Sequence, residues 1–251
     1  MSAAAEFAAF AALHVAGDPL VLYNVWDAGS AQAAERAGAA AVASGSWSVA
    51  VANGYRDGHD MPVAAMLAAA ARIVGATSLP VSIDFEGGYA TDPAGTAANV
   101  AKLAAIGAVG CNFEDQVVGG EGLHATADQA ARIAAIRAAV GPEFFINART
   151  DLFLKAPAEQ HDAALVEAAV VRATAYADAG ASGFFAPGLA DPALVARLTQ
   201  AVALPLNLMA FPGAPDRAAW AAAGVARISH GPFPYRAALA GFEAGLQAAL
   251  R

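Results

Sequence analysis

Charged residues are scarce in this sequence. Asp, Glu, Lys and Arg make up 14% of its 251 residues, and 14 basic groups face 22 acidic ones, for a net charge of -8. Nucleic-acid binding draws most of its affinity from cations that neutralise phosphates, so this balance argues against a nucleic-acid partner. A single cysteine, Cys111, excludes an internal disulfide framework and fits a reducing cytoplasm. The five histidines, His14, His59, His124, His161 and His230, show no metal-ligand spacing, and only His230 sits at the end of a strand-like run. No Lys or Arg precedes Arg36, so the N-terminus lacks the basic region of a signal peptide. The longest charge-free run, 37–55, is nearly long enough to span a bilayer. It holds three glycines, three serines and Asn53 and few large aliphatics, so it predicts buried core and no membrane partner.

Apolar residues, in contrast, make up 58% of the chain, enough for a large core. They fall in a repeat. Four short apolar runs follow a proline, at Pro19, Pro80, Pro142 and Pro205, at intervals of 61, 62 and 63 residues. Between them lie four runs that follow a glycine, at Gly38, Gly107, Gly180 and Gly224, each after an alanine-rich stretch. Glycine there fits a helix end, where the chain turns left-handed before the next strand. The segments between runs predict helices at 61–75, 96–106, 128–140, 163–179, 191–201, 216–223 and 235–250. In 128–140, Ile133, Ile136 and Val140 share one face, with Arg132 and Arg137 on another. Eight strands alternating with helices, without a glycine-rich dinucleotide turn, predict an α/β fold. It is expected to be a single-domain (β/α)8 TIM-type barrel over residues 1–251.

The strand-like runs end in polar residues: Ser44-Gly45-Ser46, Asp84-Phe85-Glu86, Asn112-Phe113-Glu114-Asp115, Asn147-Ala148-Arg149, Asn207 and Ser229-His230. Alternation along a strand points Asp84 with Glu86, Asn112 with Glu114 and Asn147 with Arg149. Such barrels collect catalytic groups at the C-terminal strand ends. Three carboxylates, Asp84, Glu86 and Glu114, beside the guanidinium of Arg149 predict a cation site next to an anionic substrate. Hard oxygen donors suit Mg2+ or Mn2+. Taken singly, each carboxylate also suits a helix cap or an ion pair. Asp115 and Asp151 sit one or two positions past these residues and suit capping or orientation. Cys111, inside an apolar run, suits an inert core position, and the pairs Gly87-Gly88 and Gly119-Gly120 suit turns.

Asn24-Val-Trp-Asp27-Ala-Gly-Ser, Gly54-Tyr-Arg-Asp57-Gly, Asp84-Phe-Glu86-Gly-Gly-Tyr89, Asn112-Phe-Glu114-Asp115-Gln and Asn147-Ala-Arg149-Thr-Asp151 follow one another in this order. In them the chain resembles the isocitrate lyase/phosphoenolpyruvate mutase superfamily, from about residue 20 to 236. The resemblance implies the same barrel, often with its last helix exchanged between subunits of a tetramer. It also implies Mg2+ near Asp84, with Glu86, Glu114 and Asp57 around it. Ser46, Trp47 and Ser48 match the segment that holds the substrate carboxylate, and Arg149 matches the arginine that meets the substrate's negative charge. Asn207 lies in a further matching segment and is a substrate-binding candidate.

The departures bear on the reaction. Superfamily lyases carry a Lys-Lys/Arg-Cys-Gly-His loop where this chain has Val117 to His124 without cysteine or lysine. They also place a glutamate where Gly188 follows Pro187, and phosphonomutases a histidine where Ala186 stands. The surviving groups fit a carbon–carbon lyase or decarboxylase acting on a small 2-oxo or 2-hydroxy carboxylate, with Arg149, Glu114 and Asp57 as catalytic candidates. Phosphonopyruvate-type mutase or hydrolase chemistry and a non-catalytic ligand-binding relative are the alternatives. Phe242, Leu246 and Leu250 form an apolar stripe on 235–250, which predicts a homodimer or homotetramer unless the stripe closes the barrel's own base.

Overall fold

The computed structural model describes residues 2–251. Among them, eight parallel strands alternate with helices: β1 (Leu20–Leu22), β2 (Val42–Ala43), β3 (Val81–Asp84), β4 (Gly110–Glu114), β5 (Phe145–Arg149), β6 (Gly183–Phe185), β7 (Leu206–Met209) and β8 (Arg227–Ser229). Their order is β1-β8-β7-β6-β5-β4-β3-β2. A parallel bridge between Val25 and Ser44 joins the two ends of this sheet, so it closes into a single-domain (β/α)8 barrel. All eight strands begin where a proline or glycine opens an apolar run. The glycines before β2, β4, β6 and β8 have φ of 85°, 101°, 96° and 85°, the left-handed turn expected of them.

The helices are α1 (Ala3–Ala12), α2 (Ala28–Arg36), α3 (Ser46–Ala52), α4 (Val63–Val74), α5 (Pro93–Ala105), α6 (Thr126–Val140), α7 (Leu152–Lys155), α8 (Ala163–Asp178), α9 (Pro192–Ala201), α10 (Arg217–Ala222) and α11 (Phe233–Ala249). Aspartate side chains cap the first turns of α2, α5, α8, α9 and α10, from Asp27, Asp92, Asp162, Asp191 and Asp216. Ile83, Cys111, Ile146, Phe184, Leu208 and Ile228 project outward from the strands and join the helix side chains in the main core. At the N-terminal strand ends, α1 packs Phe10 against Leu20, Val109 and Phe145 and closes that end of the barrel. No described helix is long and apolar enough to cross a membrane.

Three features go beyond the sequence reading. Residues 46–52 form a helix, because Gly45 takes an extended conformation and lets α3 start at once. Arg132, on the other face of α6 from Ile133, is buried too: it is 2% exposed, its guanidinium over the Phe113 ring and bonded to the Gly87 and Ala90 carbonyls. The stripe on α11 does not close the barrel's own base. Every residue from Arg236 to Arg251 is exposed, and Leu239, Phe242, Leu246 and Leu250 lie in the open. The outer face of β1 is correspondingly bare, and a groove of about 960 Å³ runs there past Leu20, Val21, Tyr23, Trp26 and Ala33.

Candidate active site

The barrel register sets the site. Asp84 pairs with Asn112, Asn112 with Asn147, and Glu114 with Arg149. These side chains alternate with the outward aliphatics and so point to the interior, polar groups toward the C-terminal rim. Asn147 Nδ2 donates to Asn112 Oδ1 at 2.8 Å. Arg149 Nη1 lies 3.0 Å from Glu114 Oε2. Its Nε and Nη2 bond both oxygens of Asp151, at 2.6 and 3.1 Å. Asp151 therefore fills one edge of the guanidinium and fixes its plane, leaving the Nη1 side toward Glu114 and the site. Burial opposes the charge on Arg149, but Glu114 and Asp151 outweigh it and hold its pKa above the ordinary value.

Asp151 is itself held. Its backbone N–H donates to Asp115 Oδ1 at 2.9 Å. Asp115 Oδ2 accepts from Arg172 Nη1 and Tyr176 Oη, both at 2.9 Å, and the residue is fully buried. Of the capping and orientation roles expected of this aspartate pair, Asp151 makes no side-chain cap bond to α7, and the pair's side chains engage Arg149, Arg172 and Tyr176.

Asp84 ends β3. Its backbone N–H donates to Ser44 Oγ at 2.9 Å, and its Oδ2 accepts from the Ser46 backbone N–H at 3.1 Å. Its Oδ1 is buried without a hydrogen-bond partner among the described residues. Such an oxygen is costly to leave bare. Glu86 reaches the same region by another route than strand alternation, from a left-handed turn (φ 49°) just past β3. Its Oε2 accepts from the Gly58 and His59 amides at 3.0 and 2.7 Å, and its Oε1 from Tyr89 Oη at 2.7 Å. The next turn is tight: a Cβ on Gly88 (φ 78°) would come within 2.7 Å of Thr96 Cγ2.

Asp57 lies on the exposed loop before α4 and completes the acidic group. Partial burial and then the charge of Asp84 raise its carboxyl pKa, against Arg149 and the Ser46 hydroxyl. Burial likewise raises Glu86, with the Tyr89 hydrogen bond pulling the other way and Asp57 and Asp84 adding to the rise. Burial pushes Glu114 up as well, opposed by Arg149. Asp57, Asp84, Glu86, Glu114 and Arg149 thus share one electrostatic neighbourhood.

The other candidates are placed less uniformly. Ser46 and Ser48 are buried in the first turn of α3, and the Ser48 hydroxyl has no partner among the described residues. Trp47 is half-buried, under the guanidinium of Arg236 at 4.8 Å. Asn207 is buried inside the barrel, donating to Ser229 Oγ at 3.2 Å. His230 turns outward, its Nδ1 3.3 Å from the Leu22 carbonyl and its ring against Tyr23. Cys111 is fully buried, and burial pushes its thiol up to about 12.

Sequence reasoning missed a second tier. His59 Nε2 accepts from the Gly87 and Tyr89 amides at 3.1 and 3.4 Å, which needs a neutral ring. Burial, then Arg132, pushes its pKa down to about 4. Arg132 Nη2 bonds the Gly87 and Ala90 carbonyls, and Gln129 Nε2 the Glu114 carbonyl at 3.0 Å. Asn24 Nδ2 bonds the Ser44 carbonyl, while its Oδ1 accepts from the His230 and Gly231 amides.

A closed parallel barrel with carboxylates and one oriented arginine at its C-terminal rim has the architecture of a barrel enzyme. The family model for phosphoenolpyruvate phosphomutase matches residues 10–250, and the chain belongs to that family, within the isocitrate lyase/phosphoenolpyruvate mutase superfamily of enzymes. It is 48% identical to a Burkholderia cenocepacia J2315 protein that carries a provisional phosphonomutase name. That structure superimposes with a TM-score of 0.96, covering 99% of this chain and 100% of the other. An uncharacterised protein of Mycobacterium tuberculosis (strain H37Rv) is 38% identical over 227 residues, 90% of this chain and 83% of the relative. The 2-methylisocitrate lyase of Escherichia coli (strain K12) is 30% identical over 218 residues, 82% of this chain and 71% of the enzyme.

Proposed function

We propose that this chain is a divalent-cation-dependent carbon–carbon lyase or decarboxylase that acts on a small 2-oxo or 2-hydroxy carboxylate. One observation carries the reading: the buried, unpartnered Oδ1 of Asp84 in the midst of three further carboxylates. No three Asp, Glu, His or Cys side chains among the described residues converge as a ready ligand cage. One free carboxylate oxygen without nitrogen or sulfur donors beside it fits Mg2+ or Mn2+, which takes one or two carboxylates and keeps several waters, and does not fit zinc. Asp84 is the direct ligand in this reading. Glu86 and Glu114, already engaged by N–H and O–H donors and by Arg149, would help hold the cation beside Asp84, with Asp57 near them. Held there, a divalent cation stabilises negative charge developing on a substrate's α-oxo oxygen.

The chain's own groups supply the remainder. Arg149, held edge-on by Asp151, offers Nη1 to a second substrate carboxylate. The first turn of α3 offers backbone N–H groups and the free Ser48 hydroxyl to a carboxylate, while Trp47 and Asn207 flank it. Glu114, its carboxyl raised by burial against the opposing charge of Arg149, takes or gives the proton that bond cleavage requires in this reading. Decarboxylation needs no base to deprotonate an alcohol, which suits a chain without the lyase cysteine loop. The 48% identical relative favours phosphonate chemistry as a second reading.

Oxaloacetate, 2-methylisocitrate, 2,3-dimethylmalate and phosphonopyruvate, each assayed with Mg2+ and with EDTA, separate the two. Mg2+-dependent cleavage of one of the first three supports the lyase; turnover of phosphonopyruvate alone replaces it. Asp84→Ala should abolish Mg2+ uptake and turnover while the protein still melts cooperatively. Undiminished metal-dependent activity in that variant would sink the cation site.

The bare groove over β1 and the exposed α11 support a homo-oligomer in which one copy's α11 covers the other's groove. The single buried Cys111 supports a cytoplasmic setting.

A further inference from the structure

The barrel interior of such folds is usually filled by layers of branched aliphatic side chains. Here one position on that axis is a guanidinium. Arg227 is the first residue of β8 and is fully buried. Its Nη2 reaches Asn112 Oδ1 at 3.2 Å. Asn112 belongs to β4, four strands from β8 in either direction round the sheet, so the side chain crosses the barrel. Its Nε lies 3.4 Å from Ser229 Oγ, and its Nη1 has no partner among the described residues. No carboxylate among the described residues pairs with it. Its anchor, Asn112, is the register partner of Asp84.

An unpaired buried guanidinium destabilises a fold, and a hydrophobic residue of like volume is often an improvement. Structural economy therefore does not explain Arg227; charge does. Burial pushes its pKa down to about 9, and Asp84 is the foremost group that pushes it back. The side chain is thus cationic at neutral pH and interacts with Asp84 across the polar interior.

We propose that Arg227 is the fixed counter-charge of the cation site, a positioning residue that balances Asp84 from within the barrel and weakens the site's hold on its divalent cation. This rests on the cation-site reading above. Arg227 repels the incoming cation and lowers the repulsion among the carboxylates when none is bound. The site then exchanges its cation, and any product bound with it, instead of trapping it.

The test is calorimetric titration of Mg2+ at pH 7.5, where Arg227 keeps its charge, on the parent protein and the neutral variants Arg227→Met and Arg227→Gln. Each neutral variant should bind Mg2+ about tenfold more tightly, since removing one charge near a divalent ion acts through Coulomb's law at the effective dielectric of a protein interior. Mg2+ should also raise their melting temperature by more than it raises the parent's. If one neutral variant fails to fold, the other carries the measurement. Neutral variants that bind like the parent overturn the inference alone. A parent protein that takes up no Mg2+ overturns the cation-site reading and this inference with it.

Discussion

Asp115→Asn tests how the substrate-facing arginine is held. The wild-type carboxylate is fully buried and accepts three hydrogen bonds, from the Asp151 amide, Arg172 Nη1 and Tyr176 Oη. Asparagine keeps an acceptor for the Asp151 amide but turns an NH2 group toward the other two donors. Arg172, whose side chain is 13% exposed, loses its carboxylate. Leaving one member of a buried pair alone costs about 3–5 kcal/mol, and the retained acceptor brings the expected loss to about 3 kcal/mol. For a chain of this size that is a fall of roughly 6–12 °C in melting temperature. Tyr176→Phe removes one neutral donor and should cost about 1 kcal/mol, or roughly 2–4 °C. The substitution should reach the chemistry too. Asp151, freed at its backbone, no longer fixes the plane of Arg149, and kcat/KM should drop about tenfold at temperatures where the variant is fully folded. Scanning calorimetry and steady-state kinetics on the same samples read both effects. An Asp115→Asn protein that melts within about 2 °C of the parent would refute the reasoning.

Two further outcomes are expected. Burial, and then the charge of Arg227, pushes His14 down to about 3, below its usual 6.5, so the fold favours the neutral ring. The stability this contributes is present above pH 6.5 and lost as pH falls from there toward 3. Denaturant unfolding across that range should show a shallower acid decline in His14→Phe, and an unchanged slope would acquit His14. Removing residues 237–251 should leave a folded monomer by light scattering while the full chain assembles; a monomeric full chain at micromolar concentration removes the proposed exchange of α11.

The eight strands were legible because their signals are local. A proline or glycine opens each run, and Gly38, Gly107, Gly180 and Gly224 mark the preceding helix ends whatever the tertiary context. Asp84, Asn112, Glu114, Asn147 and Arg149 were legible because strand alternation carries their facing directly into the barrel. Glu86 reached its place although the alternation argument does not apply, since its backbone is left-handed. The burial of Arg132 was not legible, because helical periodicity shows that two residues lie on different faces but not how many faces are covered. Arg227 offered no local sign. One arginine inside a short apolar run reads the same whether its head escapes to solvent or crosses the barrel, and only closure of the sheet brings Asn112 opposite it.

The join between the first and last strands of the sheet has a mechanical meaning. Among the described residues two backbone hydrogen bonds cross it, from Val25 to the Ala43 carbonyl and from Gly45 to the Val25 carbonyl, and the Asn24 amide on Ser44 reinforces them. Everywhere else longer ladders share the strain, so thermal breathing concentrates at this joint. Ser44 and Ser46 flank it, and both bond Asp84. The barrel's softest seam is therefore fastened to the carboxylate proposed to hold the cation. When the seam loosens, the mouth widens on the side of α3 and two of the tethers on Asp84 slacken together, which gives a rigid cylinder one place at which it can flex.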